Sequence, residues 1–294
     1  MRLLKAIVLA AGFGTRLLPY SKEMPKEMLP LFYIENSKPV LKPILQIVFE
    51  QLYEAGIREF CFVVGRGKRA VEDHFTPDWD YVELLKEKGK ESEAGMLHRF
   101  YKMVEDSLII FVNQPVPRGT GDAVARAKRF ASDGYFLVAA GDNIFLGENV
   151  ARSLIRLHDE LRAAMLAGKR VDDPKRYGVL VGRELKERVV KLERIIEKPS
   201  EPPSNLVNTS LYLLPPSVFK ALDECGPSPR GEIELTDAVQ KLVEWGEDIY
   251  VYDVGDTQWV DVGTPDTYLD AVLLSLRLCK DQKMIKKAKD DLGV

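Results

Sequence analysis

Short apolar runs alternate with amphipathic stretches from the start of the chain: KAIVLA, then VLKPILQIVFEQLYEAG, then EFCFVVG, then RAVEDHF. An apolar run of this length suits a strand and each longer stretch suits a crossover helix, so the order reads β-α-β-α and implies a parallel sheet. Such sheets bind ligands at the carboxyl ends of their strands. Further strand candidates are LIIFVNQ (108–114), YFLVAAGD (135–142), YGVLVGRE (177–184), NTSLYLLP (208–215) and DIYVYDVG (248–255), and IIEKPS closes another. Helices fit GDAVARAKRFA, NVARSLIRLHDELRAAMLAG, IELTDAVQKLVEWG and a tail from Pro265 onward. The charged stretch 83–106 reads as a helical insertion with a solvated face, and the proline-rich KPSEPPS (198–204) as a loop.

The 294 residues allow a large core. We take 1–294 as one domain, with the insertion at 83–106 and the helical tail at 265–294. Net charge is −3 with both signs interspersed, which argues against a nucleic-acid partner. Cys61, Cys225 and Cys279 are far apart and form no CxxC, so buried, reduced thiols and a cytoplasmic setting are expected. The apolar start is far shorter than the ~20 residues needed to span a bilayer, and no membrane association is expected.

The first strand empties into AAGFGTRLLPYSKEMPKEMLP, Ala10 to Pro30. Small residues at Ala11, Gly12 and Gly14 let backbone approach a ligand. Neither a Walker lysine nor the third glycine of a dinucleotide fingerprint is present, so this is not one of the familiar phosphate loops. Arg16 and Lys26 nevertheless supply a fork and a point charge for phosphate oxygens. Asp142 ends YFLVAAGD at the same expected edge, either as an oxygen ligand to a hard cation such as magnesium or as a helix N-cap. Asp261, in WVDVGTPDTY, is a second carboxylate candidate, with Asp253 and Asp256 as rivals. Two converging carboxylates repel unless a cation lies between them. Gln114 opens QPVPRGTGDA, where an amide that donates and accepts in one plane suits a nucleobase edge. Glu197 and Lys198 offer a carboxylate for sugar hydroxyls and an ammonium for phosphate, or a plain surface pair. His74, His98 and His158 share no metal spacing, and no G-x-S-x-G elbow is present.

Taken in series, KAIVLAAGFGTRLLP, PKEMLPL, QPVPRGTGDAV, AAGDNIF, YGVL, IIEKP, SNLVNTSLYLL, GEIELTDAV and WVDVGTPDTY resemble the nucleotide-sugar pyrophosphorylases over nearly the whole chain. PKEMLPL, the insertion at 83–106 and the helical tail resemble the uridylyl branch in particular. Thr264-Pro265 stands where that branch often has Asn-Lys, and Asp122 where it usually has histidine. The resemblance implies an α/β fold, a Rossmann-like, mixed but mostly parallel sheet flanked by helices, as in nucleotide-diphospho-sugar transferases. It implies UTP and glucose 1-phosphate as substrates, UDP-glucose and pyrophosphate as products, and Mg2+ as cofactor. By the same resemblance Ala10, Ala11 and Gly12 line the base and ribose, Gly14, Thr15, Arg16 and Lys26 hold the triphosphate, and Gln114 and Gly119 read the base. Asp142 and Asp261 bind magnesium, Gly178, Glu197 and Asn208 hold the glucose, and Lys198 holds its phosphate. A homodimer or homotetramer is implied. Two alternatives stand beside this: the same chemistry with dTTP, and a non-catalytic nucleotide-sugar sensor, which would need a damaged set of metal and cation residues.

Overall fold

The structure, a computed structural model, describes residues 5–35 and 38–292, with side chains to 281. Leu3 and Leu4, which extend the apolar start ahead of KAIVLA, and the last two residues of the expected tail lie outside the described residues.

KAIVLA forms β1 (Lys5–Ala10), a central strand of the main sheet. A hairpin follows, β2 (Pro30–Glu35) and β3 (Lys38–Pro43). Then come β4 (Glu59–Val64), β5 (Leu108–Asn113), β6 (Phe136–Ala140) and β7 (Asn143–Leu146). The second half supplies β8 (Ala164–Arg170), β9 (Gly178–Lys186), β10 (Val189–Glu197) and β11 (Leu206–Leu214). β12 (Ile249–Asp253) and β13 (Gln258–Asp261) complete the set. Among the described residues, nine strands make one mixed sheet in the order β5-β4-β1-β6-β11-β8-β12-β10-β9. β5, β4, β1 and β6 run parallel, as do β8 and β12. β11 lies antiparallel between β6 and β8, and β10 pairs antiparallel with β12 and β9.

Period-two alternation distributes β1 and β4 to two hydrophobic layers. Ala6, Val8, Ala10, Phe60 and Phe62 pack on one face, against the helices Ile44–Glu54, Trp79–Glu87, Glu91–Glu105 and Val150–Leu161. Ile7, Cys61 and Val63 pack on the other, against Thr120–Arg126, Ser217–Glu224 and Leu235–Glu244. The stretch 83–106 is helical but more than a solvated face, because Phe100 reaches the aromatic core at 6.1 Å from Phe49 and Ala94 and Val104 are buried.

Two assignments change. NVARSLIRLHDELRAAMLAG is a helix only to Leu161. Arg162 turns into the left-handed region at φ 56°, and AMLAGKR becomes β8, a central strand. Ala, Met and Leu favour helix locally, but burial of both strand faces overrides that weak preference. VLKPILQIVFEQLYEAG likewise splits, its start pairing as β3 before the helix begins at Ile44. Cys61 and Cys279 are buried as expected, whereas Cys225 is half-buried.

Candidate active site

β1 delivers Ala11 and Gly12 to the carboxyl edge of the sheet. The loop turns at Gly14, whose φ of 65° suits a residue without Cβ. Its carbonyl accepts from Ser21 Oγ at 2.7 Å and from the Leu17 amide at 2.8 Å, which holds Thr15 and Arg16 in a 3-10 turn. Gln114 follows β5, is buried, and is tied to β4 through its own N–H to the Val64 carbonyl at 2.8 Å. Ala11, Gly12, Gly14, Thr15, Lys26, Gln114, Gly119 and Asp142 line one cavity of about 350 Å3. Ala10 packs in the core at the end of β1, and its side chain is absent from that lining.

Gly119 and Gly121, in the loop after Gln114, have a packing reason. A Cβ on Gly119 would stand 2.4 Å from the Ile233 carbonyl oxygen, at a φ of 111°. The Gly121 amide donates to that same carbonyl at 2.8 Å. The segment RGEIEL is thereby seated on the loop that follows Gln114.

At the edge of this cavity stands a charge cluster. Lys26 forms an ion pair with Asp142. Its loop is pinned from below, where Glu27 and Lys68 make a buried ion pair at 2.8 Å. Lys26 is therefore not the exposed loop lysine that its sequence suggests: its side chain keeps 16% of its surface exposed. Asp142 caps no helix, since the chain enters β7 directly. Asp261 arrives by an unexpected route. A shared parallel-sheet edge explains Asp142, but Asp261 lies on β13, which forms a separate ribbon with β7 in which Asp261 faces Asn143. Asn143 Nδ2 donates to Asp142 Oδ1 at 3.1 Å and to Asp261 Oδ1 at 3.4 Å, while Trp259 Nε1 donates to Asn143 Oδ1 at 2.8 Å. One oriented amide thus holds both carboxylates. The rivals line neither this cavity nor its neighbour: Asp253 pairs with Arg170 at 2.9 Å and Asp256 is exposed.

The two carboxylates differ electrostatically. Burial would raise Asp142, but the Lys26 ammonium overrides it and holds the group below its ordinary value. Burial would lower Lys26, but the carboxylates of Asp142, Glu27 and Asp261 keep it above its ordinary value. Asp261 is pushed up to about 6, first by burial and then by the charge of Asp142. Among the described residues no cluster of three or more His, Cys, Asp or Glu side chains suits a metal. A pair of hard oxygen donors does fit magnesium, which keeps most of its coordination for water and phosphate.

A second cavity, of about 200 Å3, is lined by Arg16, Asn143, Gly178, Glu197, Lys198, Asn208, Trp259 and Asp261, among others. Gly178 opens β9 beside it, where a Cβ would sit 3.1 Å from Glu197 Oε2. Glu197 Oε2 accepts from Thr236 Oγ1 at 3.2 Å. Glu197 and Lys198 do pair, at 3.3 Å, yet Lys198 does so with a backbone φ of 43°. Asn208 sits in β11 where the register with β8 shifts. Its Nδ2 donates to the Tyr212 hydroxyl, and its Oδ1 accepts from the Ser210 amide at 3.1 Å. Both cavities are lined by Thr120, Ser210, Tyr212 and Glu232, so they share a wall.

Sequence reasoning did not single out Asn143, Trp259, Tyr212, Thr236, Arg230 or Glu234. Arg230 bridges Glu197 and Glu234 at 3.5 and 3.2 Å. Burial and the charge of Glu197 raise Glu234 to about 7. Asn143 was within reach, since it directly follows Asp142. A larger cavity of about 580 Å3 lies at the amino ends of β1 and β6, lined by Lys5, Tyr135 and His158 and remote from these residues.

Comparison with known proteins agrees with this geometry. The family model for nucleotidyl transferase matches residues 5–277. A UTP–glucose-1-phosphate uridylyltransferase of Bacillus subtilis is 36% identical over 264 residues, 88% of this chain and 86% of that protein. UTP–glucose-1-phosphate uridylyltransferase 2 of Staphylococcus saprophyticus is also 36% identical, over 88% of this chain and 87% of that protein. A crystal structure of UDP-glucose pyrophosphorylase complexed with UDP-glucose superposes with a TM-score of 0.79 at 28% identity, covering 94% of this chain and 99% of that one. With the match running from β1 into the C-terminal helix (Pro265–Leu292), the chain belongs to the nucleotidyl transferase family.

Proposed function

We propose that the protein is a UTP–glucose-1-phosphate uridylyltransferase, making UDP-glucose and pyrophosphate, with the two cavities as its nucleotide and sugar-phosphate sites. The observation that carries this is their shared wall, with cations and carboxylates on both sides: Lys26 and Asp142 line the first, Arg16, Lys198 and Asp261 the second. The relatives' names supply the base and the sugar.

In this reading a phosphate oxygen of glucose 1-phosphate attacks the α-phosphorus of UTP in line, and the bond to the pyrophosphate leaving group breaks. The nucleophile is already anionic at neutral pH, so no general base is required, and none of the three histidines lines either cavity. The chain's task is to bring two polyanions together. Gln114 and Gly119 hold the base, Gly12 to Arg16 and Lys26 hold the triphosphate, Gly178, Glu197 and Asn208 orient the sugar, and Lys198 meets its phosphate. One unit-charge contact at ~4 Å and an effective dielectric of ~20 is worth roughly 4 kcal/mol before desolvation. Asp142 and Asp261 would hold magnesium, which when bound neutralises phosphate oxygens of both substrates.

The setting we infer is cytoplasmic, which the unbridged, buried Cys61 suits. No described helix is long and apolar enough to cross a membrane. We infer a homodimer or homotetramer, for which Leu269 and Leu273, more than half exposed four residues apart on the C-terminal helix, offer a seam. The test of function is pyrophosphate release with several nucleoside triphosphates crossed against several sugar 1-phosphates. UTP with glucose 1-phosphate is expected to give the highest kcat/KM, with dTTP, which adds a C5 methyl and lacks the ribose 2′-hydroxyl, behind by at least ~10-fold. A higher value for dTTP would reassign the base. No pyrophosphate from any pair would leave the sensor reading standing.

A further inference from the structure

The Gln114 side chain has two N–H bonds and one carbonyl oxygen with which to meet a base. Both hydrogens are engaged by the protein. Gln114 Nε2 donates to Asp122 Oδ2 at 2.7 Å and to the Gly119 carbonyl at 3.2 Å. A carboxylate only accepts, so it settles which end of the amide turns toward it. Asp122 is itself buried and braced by Arg126, whose Nη2 lies 3.3 Å from Oδ1 one helical turn on. The amide is also buried, in the wall of the nucleotide cavity. Its remaining hydrogen-bonding capacity is Oε1, an acceptor.

We propose that Asp122 is a positioning residue that sets the polarity of the base-reading amide, so that the site accepts bases offering a ring N–H and rejects cytosine. This rests on the uridylyl-transfer reading and deepens it. Uracil and thymine carry a hydrogen on N3 and can donate to Oε1. Cytosine carries a lone pair at N3, which would meet the Oε1 lone pair with no hydrogen between them. An amide free to rotate by half a turn would present its NH2 instead and take cytosine. Asp122, the shorter and charged of the two acceptors, is the main bar to that rotation, because the rotated amide would set its oxygen against the carboxylate, and less closely against the Gly119 carbonyl, with lone pairs facing in a buried site. The discrimination is thus set by a residue behind the one that touches the base.

Asp122→Asn tests this, because asparagine keeps the shape but can accept with Oδ1 or donate with Nδ2, so the flipped Gln114 is then opposed only by its longer contact, 3.2 Å to the Gly119 carbonyl. The measurement is kcat/KM for UTP, dTTP and CTP with glucose 1-phosphate, in wild type, Asp122→Asn and Asp122→Glu. Wild type should prefer UTP to CTP by at least about 1,000-fold. In Asp122→Asn the UTP:CTP ratio should fall by about 10- to 100-fold. The UTP:dTTP ratio should not move, because both bases carry the N3 hydrogen. Asp122→Glu, acceptor-only again, should keep the UTP:CTP ratio whatever its absolute rate. A role in folding alone would lower all three nucleotides together and leave both ratios fixed, which overturns the proposal. So would a wild type that uses CTP as well as UTP. A wild type with no pyrimidine triphosphate activity would instead overturn the uridylyl-transfer reading on which this stands.

Discussion

In the proposed reaction Lys26 would join stability to catalysis in a way that its sequence context does not show. Its ammonium balances Asp142, and behind Asp142 stands Asp261, bridged by one asparagine amide. Lys26→Ala should therefore lower turnover by about 100- to 1,000-fold, and it should also lower apo-protein stability by up to ~3–5 kcal/mol, the cost of leaving a buried charge unpaired. Steady-state kinetics and chemical denaturation check the two effects, and wild-type turnover in a folded variant would remove Lys26 from the mechanism. The carboxylates should respond in opposite directions. Asp142 is held low by Lys26, so Asp142→Asn discards a favourable partner and should destabilise the apo-protein. Asp261 is held high, at about 6 against 3.8, so the native state binds its proton more tightly than the unfolded chain does. By linkage, apo stability falls as pH rises from about 4 to 6 on account of this group and stays lower above that. Asp261→Asn should then stabilise the apo-protein at pH 8, on the order of 2 kcal/mol, and much less at pH 4. His74, pushed down to about 4 by burial, contributes the opposite slope between 6.5 and 4. Melting curves must for that reason compare variant with wild type at each pH. Both Asn variants should weaken magnesium-dependent turnover, and an unaltered magnesium response in either would place the metal elsewhere.

Loops and ribbons set the site by exclusion as much as by contact. Gly263, just after β13, leaves room for Arg16: a Cβ there would meet Arg16 Nη2 at 2.8 Å. The obstructing atom ends a flexible side chain, so Gly263→Ala should fold with a near-native melting temperature while displacing Arg16, and kcat/KM should fall at least tenfold. Unchanged kinetics would mean that Arg16 does not need that position. Gly119→Ala differs in kind, because its Cβ would strike backbone at Ile233 in a left-handed conformation. It should cost about 2–5 kcal/mol from strain and overpacking together, read by denaturation midpoint. A melting temperature equal to wild type would contradict the packing of RGEIEL against the loop that follows Gln114.

We read the chain as one nucleotidyltransferase domain, because the main sheet takes β1 from the start of the chain and β12 from near its end. The helices of 79–105 lie on one face of that sheet and contribute Phe100 and Val104 to its core. Deleting them should expose aromatic core and abolish soluble folding, whereas a detachable insertion would leave a folded, active remainder. Light scattering checks the homodimer or homotetramer, and Leu269→Glu with Leu273→Glu should shift the particle to monomer without unfolding it.

The glycine loop, the two cations, Gln114, both carboxylates and the β-α alternation of the first half are legible in the sequence because each is a local signal: an apolar run, a break, then chemistry at a strand end. AMLAGKR and the start of VLKPILQIVFEQLYEAG are not, because their strand form is imposed by burial and pairing that no window of residues contains. The sequence also cannot show that Asp261 reaches Asp142 through a ribbon, that one Asn143 amide grips both, or that Lys26 is paired rather than solvent-exposed. Residue types and their order determine which chemistry the chain carries. Long-range pairing alone decides which of those groups meet, because charge interactions and hydrogen bonds depend on distances between residues more than a hundred positions apart.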